Sequence, residues 1–134
     1  MVHHKRIEIR WRDLDGFLHV NNSTYLTYLE EARDEFYTQL LGHDRVSQIV
    51  VRHVAIDFRS GLTQEDDHAE VTVEVVRLGS SSVTTREVIR SAADGRIAVE
   101  AESVVVHTDE LREAAAPFPD DARALLEREV PASA

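Results

Sequence analysis

Arg10-Trp11-Arg12-Asp13-Leu14-Asp15-Gly16-Phe17-Leu18-His19-Val20-Asn21-Asn22-Ser23-Thr24-Tyr25 is the stretch where one periodicity gives way to another. Upstream, Ile7, Ile9 and Trp11 alternate with Arg6, Glu8, Arg10 and Arg12, so residues 5–12 read as a half-buried strand. Residues 13–22 lose that period, hold turn formers and end in two asparagines, good helix N-caps. From Ser23 to about Leu41, Tyr25, Tyr28, Leu29, Ala32, Phe36 and Leu40 recur at helical spacing and form one apolar stripe. Glu30, Arg33, Asp34 and Glu35 fall mostly off it, and Gly42 suits the helix stop. Such a helix is roughly 28 Å long at about 1.5 Å per residue.

Everything after the helix reads as strand and turn. Residues 49–59 are rich in Val, Ile and Phe, and 60–67 form a loop. Residues 69–78 alternate, Gly79-Ser80-Ser81-Ser82 is a turn or bulge, and 83–91 is a further strand. Ala92-Ala93-Asp94-Gly95 carries the Asp-Gly hairpin signal before another alternating run at 96–107. Pro117 and Pro119 lead to a short amphipathic helix near 120–129 and a frayed end. Hairpin-length turns make the last strands antiparallel, and one apolar-striped helix then packs on one face of the sheet. The expectation is one α+β domain over 1–134, with a five-stranded antiparallel sheet wrapped on a long central helix and a short C-terminal helix.

Composition narrows the function. There is no cysteine, which excludes disulfides, thiolate metal sites and a cysteine nucleophile, and fits a reducing compartment. No apolar run reaches the roughly 20 residues of a membrane span. The N-terminus has no apolar signal region, so a cytoplasmic protein is expected. Acidic residues outnumber basic ones 25 to 15, a net charge of −10, which argues against nucleic acid or an anionic membrane as partner. A few arginines could still hold the phosphates of a nucleotide-bearing ligand. Arg52, Arg59, Arg77, Arg86 and Arg90 all lie on or near strands, and the sequence does not choose among them. The seven histidines are scattered without His-x-x-x-His spacing, so no metal site is expected. Ser80 to Ser82 lack the Gly-x-Ser-x-Gly setting of a serine nucleophile.

Asp13 and Asp15 lie just before a helix N-terminus, where first-turn amides have no intrahelical partner and the macrodipole is positive. A carboxylate held ionised there could attack a carbonyl or activate water, with an amide polarising the oxygen. The plainer account, that both are loop and cap residues, fits the spacing as well.

The run from Arg10 to Tyr25, continued by Tyr28-Leu29-Glu30-Glu31-Ala32-Arg33, resembles the 4-hydroxybenzoyl-CoA thioesterase-like group of the hotdog superfamily. That group has a strand ending in D-x-D, a short loop to H-V-N-N-x-x-Y, and a helix carrying E-x-A-R. The element order also agrees, and Gly79-Ser80-Ser81-Ser82 resembles the family's Gly-Ser turn. The resemblance implies hydrolysis of an acyl-CoA-type thioester without metal or bound cofactor, coenzyme A being part of the substrate. It assigns Asp15 as the catalytic carboxylate, nucleophile or general base, and the Asn22 backbone N–H as the oxyanion donor. It further implies a homodimer whose two sheets run together, which can pair again into a tetramer. A long-chain, branched or aromatic acyl group would enter between the helix and the partner subunit. Substrate contacts are expected from Leu18, His19, Asn21 and Tyr25, and from Ser81 and Ser82 near the pantetheine channel. For His19 and Asn21, turn shaping and capping are the plainer roles; for Tyr25 it is core packing. One departure stands out: Leu18 occupies the position before the His where the family carries Gly, which points to a changed acyl preference or to lost activity. The alternatives are an acyl-CoA-binding module without turnover and a thioesterase for carrier-protein substrates.

Overall fold

The structure, a computed structural model, describes residues 1–131; the expected frayed end falls outside them. Five strands, β1 (Val2–Glu8), β2 (Ile49–Phe58), β3 (His68–Leu78), β4 (Ser82–Ser91) and β5 (Ile97–His107), form one antiparallel sheet in the order β1-β3-β4-β5-β2. Three helices accompany it: α1 (Asn22–Leu41), a single turn α2 (His43–Val46), and α3 (Asp120–Glu127).

The sheet follows from alternation. On β3, Ala69, Val71, Val73 and Val75 are buried while their neighbours are half-exposed. These residues pair with Ser91, Ile89, Glu87 and Thr85 of β4, placing the buried sets of the two strands side by side. The β4–β5 turn closes where expected, with Gly95 at φ +77°, a backbone that favours glycine. Helix α1 lays Tyr25, Tyr28, Leu29, Ala32 and Phe36 into the core and stops at Gly42, φ +93°.

Three details differ from expectation. The first strand ends at Glu8 instead of reaching residue 12. The Arg10 N–H donates to Asp13 Oδ2 at 3.0 Å, closing a turn over Trp11–Asp13 and leaving Trp11 73% exposed. A local side-chain bond thus overrides the alternation. Second, Leu40 is only partly buried, and Leu41 and Tyr37 are buried instead. Third, Arg33, expected off the apolar stripe, is buried. Its Nη1 donates to Glu87 Oε1 at 2.9 Å and to Ser103 Oγ at 3.2 Å between helix and sheet. Thr85 Oγ1 donates to the other Glu87 oxygen at 2.7 Å, so the buried carboxylate is satisfied on both sides.

At the sheet edge, β2 leaves Val50, Val51 and Phe58 exposed and then runs straight into the segment Arg59-Ser60-Gly61.

Candidate active site

The loop joining β1 to α1 is built by hydrogen bonds from residues close in sequence. Asp13 anchors it. Its Oδ2 accepts from Tyr28 Oη at 2.7 Å and from the Arg10 N–H, and its carbonyl accepts from the Asn21 N–H at 2.9 Å. Burial pushes the Asp13 pKa up, but the bonds from the Arg10 N–H and Tyr28, with the nearby Arg10 guanidinium, outweigh it and hold the carboxyl below its usual range. Burial, reinforced by Asp13, pushes the Tyr28 phenol far up, so it stays a donor. Asp13 is therefore consumed by structure.

Asp15 is placed differently. It is half-buried, its N–H donates to the His19 carbonyl at 2.9 Å, and its carbonyl accepts from the Leu18 N–H at 3.0 Å. Oδ1 accepts the Phe17 N–H at 2.9 Å. That closes a tight loop over 15–19, with Leu18 in the left-handed region at φ +63°. Asn21 caps α1 by accepting from Ser23 N–H at 2.9 Å. Asn22 is the first helical residue, and among the described residues nothing accepts its N–H.

Asp15 and Asn22 line one cavity of about 590 Å³, together with His19 and Tyr25. Its far wall is Phe58, Arg59, Ser60 and Gly61, from the end of β2. Tyr25 is both core and wall: it is buried, tilts against Phe58 at 5.8 Å between ring centroids, and its hydroxyl oxygen accepts the Leu62 N–H at 2.9 Å.

The far wall is held from two sides. The Val20 N–H donates to Leu62 O at 2.8 Å. From the other side, Arg96 Nη2 donates to Gly61 O at 2.7 Å while the guanidinium forks onto Asp66 at 2.9 and 3.0 Å. That fork, with the Thr63 N–H and Ser91 Oγ, lowers the Asp66 pKa to about 2 despite burial. A Cβ on Gly61 would meet the His19 ring at 2.7 Å, so only glycine lets the wall approach this closely.

Of the expected contacts, the structure therefore gathers Asp15, His19, Asn22 and Tyr25, while Asn21 caps the helix beside them. Ser81 and Ser82 are not there. Ser82 pairs with Val106 on β5, whereas the cavity lies at the Val99 end, and seven residues of strand separate the two by roughly 24 Å within one chain. Leu18 is absent from this cavity also, because its positive φ turns it to an adjacent hollow. Of the five arginines, Arg59 alone reaches the cavity, and its guanidinium is engaged with Glu100 at 3.0 Å. Phe17, Phe58 and Gly61 were not anticipated as wall residues; only the Ser60-Gly61 pair after a strand carried any local signal. Among the described residues, no three His, Asp or Glu side chains converge to hold a metal.

A profile described as a thioesterase-like superfamily matches residues 9–126. A Thermus thermophilus thioesterase solved with coenzyme A and Zn is 27% identical, with a TM-score of 0.83, covering 93% of this chain and 91% of that one. A Xanthomonas campestris protein described as a candidate acyl-CoA thioesterase is 35% identical, TM-score 0.71, over 81% of this chain and 93% of its own. A predicted thioesterase from Bacillus stearothermophilus is 25% identical, TM-score 0.83, over 97% of each chain. Among curated protein sequences none matches.

Proposed function

The chain belongs to the thioesterase-like superfamily and has the hotdog architecture, and from that premise we propose that it hydrolyses an acyl-CoA thioester in the Asp15 cavity. The observation that carries this reading is the pairing, in one cavity, of a half-buried carboxylate with a first-turn amide that the fold leaves without an acceptor. An amide so placed suits the oxygen of a thioester carbonyl, which gains negative charge as it is attacked.

In the step this supports, a water gives a proton to the Asp15 carboxylate while its oxygen bonds to the carbonyl carbon. The oxyanion rests on the Asn22 N–H. Collapse breaks the carbon–sulfur bond, and the departing thiolate takes the proton back as thiol. Direct attack by Asp15, giving a mixed anhydride that water then cleaves, uses the same groups. His19 and Tyr25 shape the wall beside them, and Arg59 is the cation best placed for a CoA phosphate. The CoA bound to the Thermus thermophilus protein supports this substrate class over a carrier protein, and a cytoplasmic location belongs with it.

We further infer that the active unit is a homodimer paired along β2, since that unpaired edge leads directly into the far wall of the cavity. A partner docked there would abut Phe58 and Arg59, and could bring its Ser81-Ser82 turn to the substrate that this chain's own turn does not reach.

The test is thiol release from a panel of acyl-CoAs. Asp15→Asn should lower kcat by about a hundredfold or more while the fold and dimer survive. Unchanged turnover in this variant would remove Asp15 from the chemistry. Binding without turnover by the wild-type protein would make it a CoA-thioester-binding module.

A further inference from the structure

Helix α3 has no part in the cavity, yet it is tied to the turn between β3 and β4 at the opposite end of the sheet. Ala122 and Leu126 seat the helix in the core. Arg123 reaches out of it: its Nη1 donates to Gly79 O at 2.8 Å, and its Nε lies 3.2 Å from Glu127 Oε1, one helical turn on.

The rest of the turn is held in the same way. Ser80 O accepts the Phe118 N–H at 3.3 Å, Ser81 O accepts the His107 N–H at 2.7 Å, and Ser82 O accepts the Gly79 N–H at 2.8 Å. The chain itself thus engages every carbonyl from Gly79 to Ser82. The donors are left over: among the described residues nothing accepts the N–H of Ser80 or of Ser81. Adjacent backbone donors on a turn whose acceptors are already engaged suit a ligand rich in acceptors, such as the amide carbonyls and phosphates of a CoA arm.

Strand register says whose ligand that is. Ser82 pairs with Val106, and Val106 with Val50, so the turn shares a row with the end of β2 opposite Phe58. A two-fold axis that continues the sheet through β2 runs the two copies antiparallel. Pairing about the middle of that strand sets Phe58 of one subunit beside Val50 of the partner subunit. The row then continues through the partner's Val106 to the partner's Ser82, three strand spacings or roughly 14 Å in all. Within one chain the same turn and cavity are separated by roughly 24 Å of strand. The turn is remote from its own cavity and close to its partner's.

We propose that Arg123 is a positioning residue for substrate binding in trans. From α3 it fixes the Gly79–Ser82 turn, which takes the CoA arm of a thioester seated in the partner's cavity. The proposal rests on the Asp15 cavity being the thioester site and on pairing along β2. Without Arg123, Gly79 O is released and the turn's donors lose their fixed direction, while α3 keeps its apolar seat and the fold survives.

Binding is measured first, because it does not depend on turnover. A non-hydrolysable S-octyl-CoA thioether is titrated calorimetrically into the wild type, Arg123→Ala and Arg123→Lys. Arg123→Ala should bind about tenfold more weakly. Arg123→Lys keeps a charged donor on a different stem and should fall between the two. Hydrolysis is then compared on an acyl-CoA and on the ethanethiol ester of the same acid, which has no CoA arm. For the acyl-CoA, Arg123→Ala should raise KM about tenfold with kcat held within about twofold; for the ethanethiol ester both should stay within about twofold. Wild-type affinity in Arg123→Ala overturns the proposal, and so does an equal loss on both esters, which would mean general loosening. The trans arrangement is read in a mixed dimer of Arg123→Ala with Asp15→Asn, purified on two tags. Its one working cavity belongs to the Arg123→Ala subunit and receives the intact turn of the Asp15→Asn subunit, so its KM should be that of the wild type. The KM of the Arg123→Ala homodimer in its place, or a monomeric wild type, overturns the trans placement. Should Asp15→Asn retain hydrolysis, the catalytic reading of Asp15 fails, and the titration still decides whether Arg123 serves binding.

Discussion

Two aspartates two residues apart do opposite things, and hydrogen bonding decides which does what. Asp13 points into the core and is taken by Tyr28 and the Arg10 N–H; Asp15 keeps one bond to the Phe17 N–H and faces a cavity. Because the Asp13 pKa is lowered in the folded state, it contributes stability that is fully present above its unfolded value of 3.8 and lost as pH falls through the folded one. Tyr28→Phe removes a donor to a buried charge and should cost about 2 kcal/mol at neutral pH. That difference from wild type should shrink below about pH 4 as the carboxyl protonates, as urea unfolding at several pH values would show. The placement of Asp15 and Asn22 beside one cavity was legible because loop and helix cap lie within about ten residues of each other in the chain. Leu18 was legible as an anomaly, but its side chain's destination was not, since a positive φ at a leucine reverses the direction that the sequence suggests. Ser81 and Ser82 lie away from this chain's own cavity, a separation set by strand register and so not visible in the local sequence.

At the scale of elements, the contact of α1 with the sheet is not purely apolar. The Arg33–Glu87 pair, with Thr85 and Ser103, occupies the middle of it. The apolar stripe marks the helix and Gly42 its stop, but Arg33 falls off that stripe and is buried all the same, against the usual rule that charge stays outside. Only knowledge that Glu87 and Ser103 lie close together on β4 and β5 could have paired it, and that is a long-range fact. Glu87→Gln strands a buried guanidinium and should destabilise by about 3 kcal/mol or more. The double change Arg33→Met with Glu87→Leu should recover most of it, since apolar replacement of a buried pair is often neutral. Chemical unfolding midpoints measure both. If the single variant were as stable as wild type, the pair would contribute nothing beyond geometry.

For the whole molecule, the homodimer proposed above would form along the β2 edge. Val50, Val51 and Phe58 stand exposed on a strand with one unpaired side, which invites pairing with another copy. Val51→Lys should weaken self-association at least about tenfold and lower hydrolysis in proportion to the monomer formed. Sedimentation velocity against concentration, run beside the thiol assay, reads both. Activity unchanged in a fully monomeric variant would mean that one chain holds the complete site. Another consequence belongs to the wall behind His19. Gly61 hangs by its carbonyl from the Arg96 guanidinium, whose other contacts are carboxylates. Trim that residue to alanine and the vacancy has the size, planarity and charge preference of a free guanidinium ion. Arg96→Ala should therefore lose hydrolysis and regain part of it when dilute guanidinium salt is added, at concentrations far too low to unfold the chain. Equal sodium chloride should restore nothing, and an enzyme revived by a dilute denaturant would be the signature of that one suspended carbonyl.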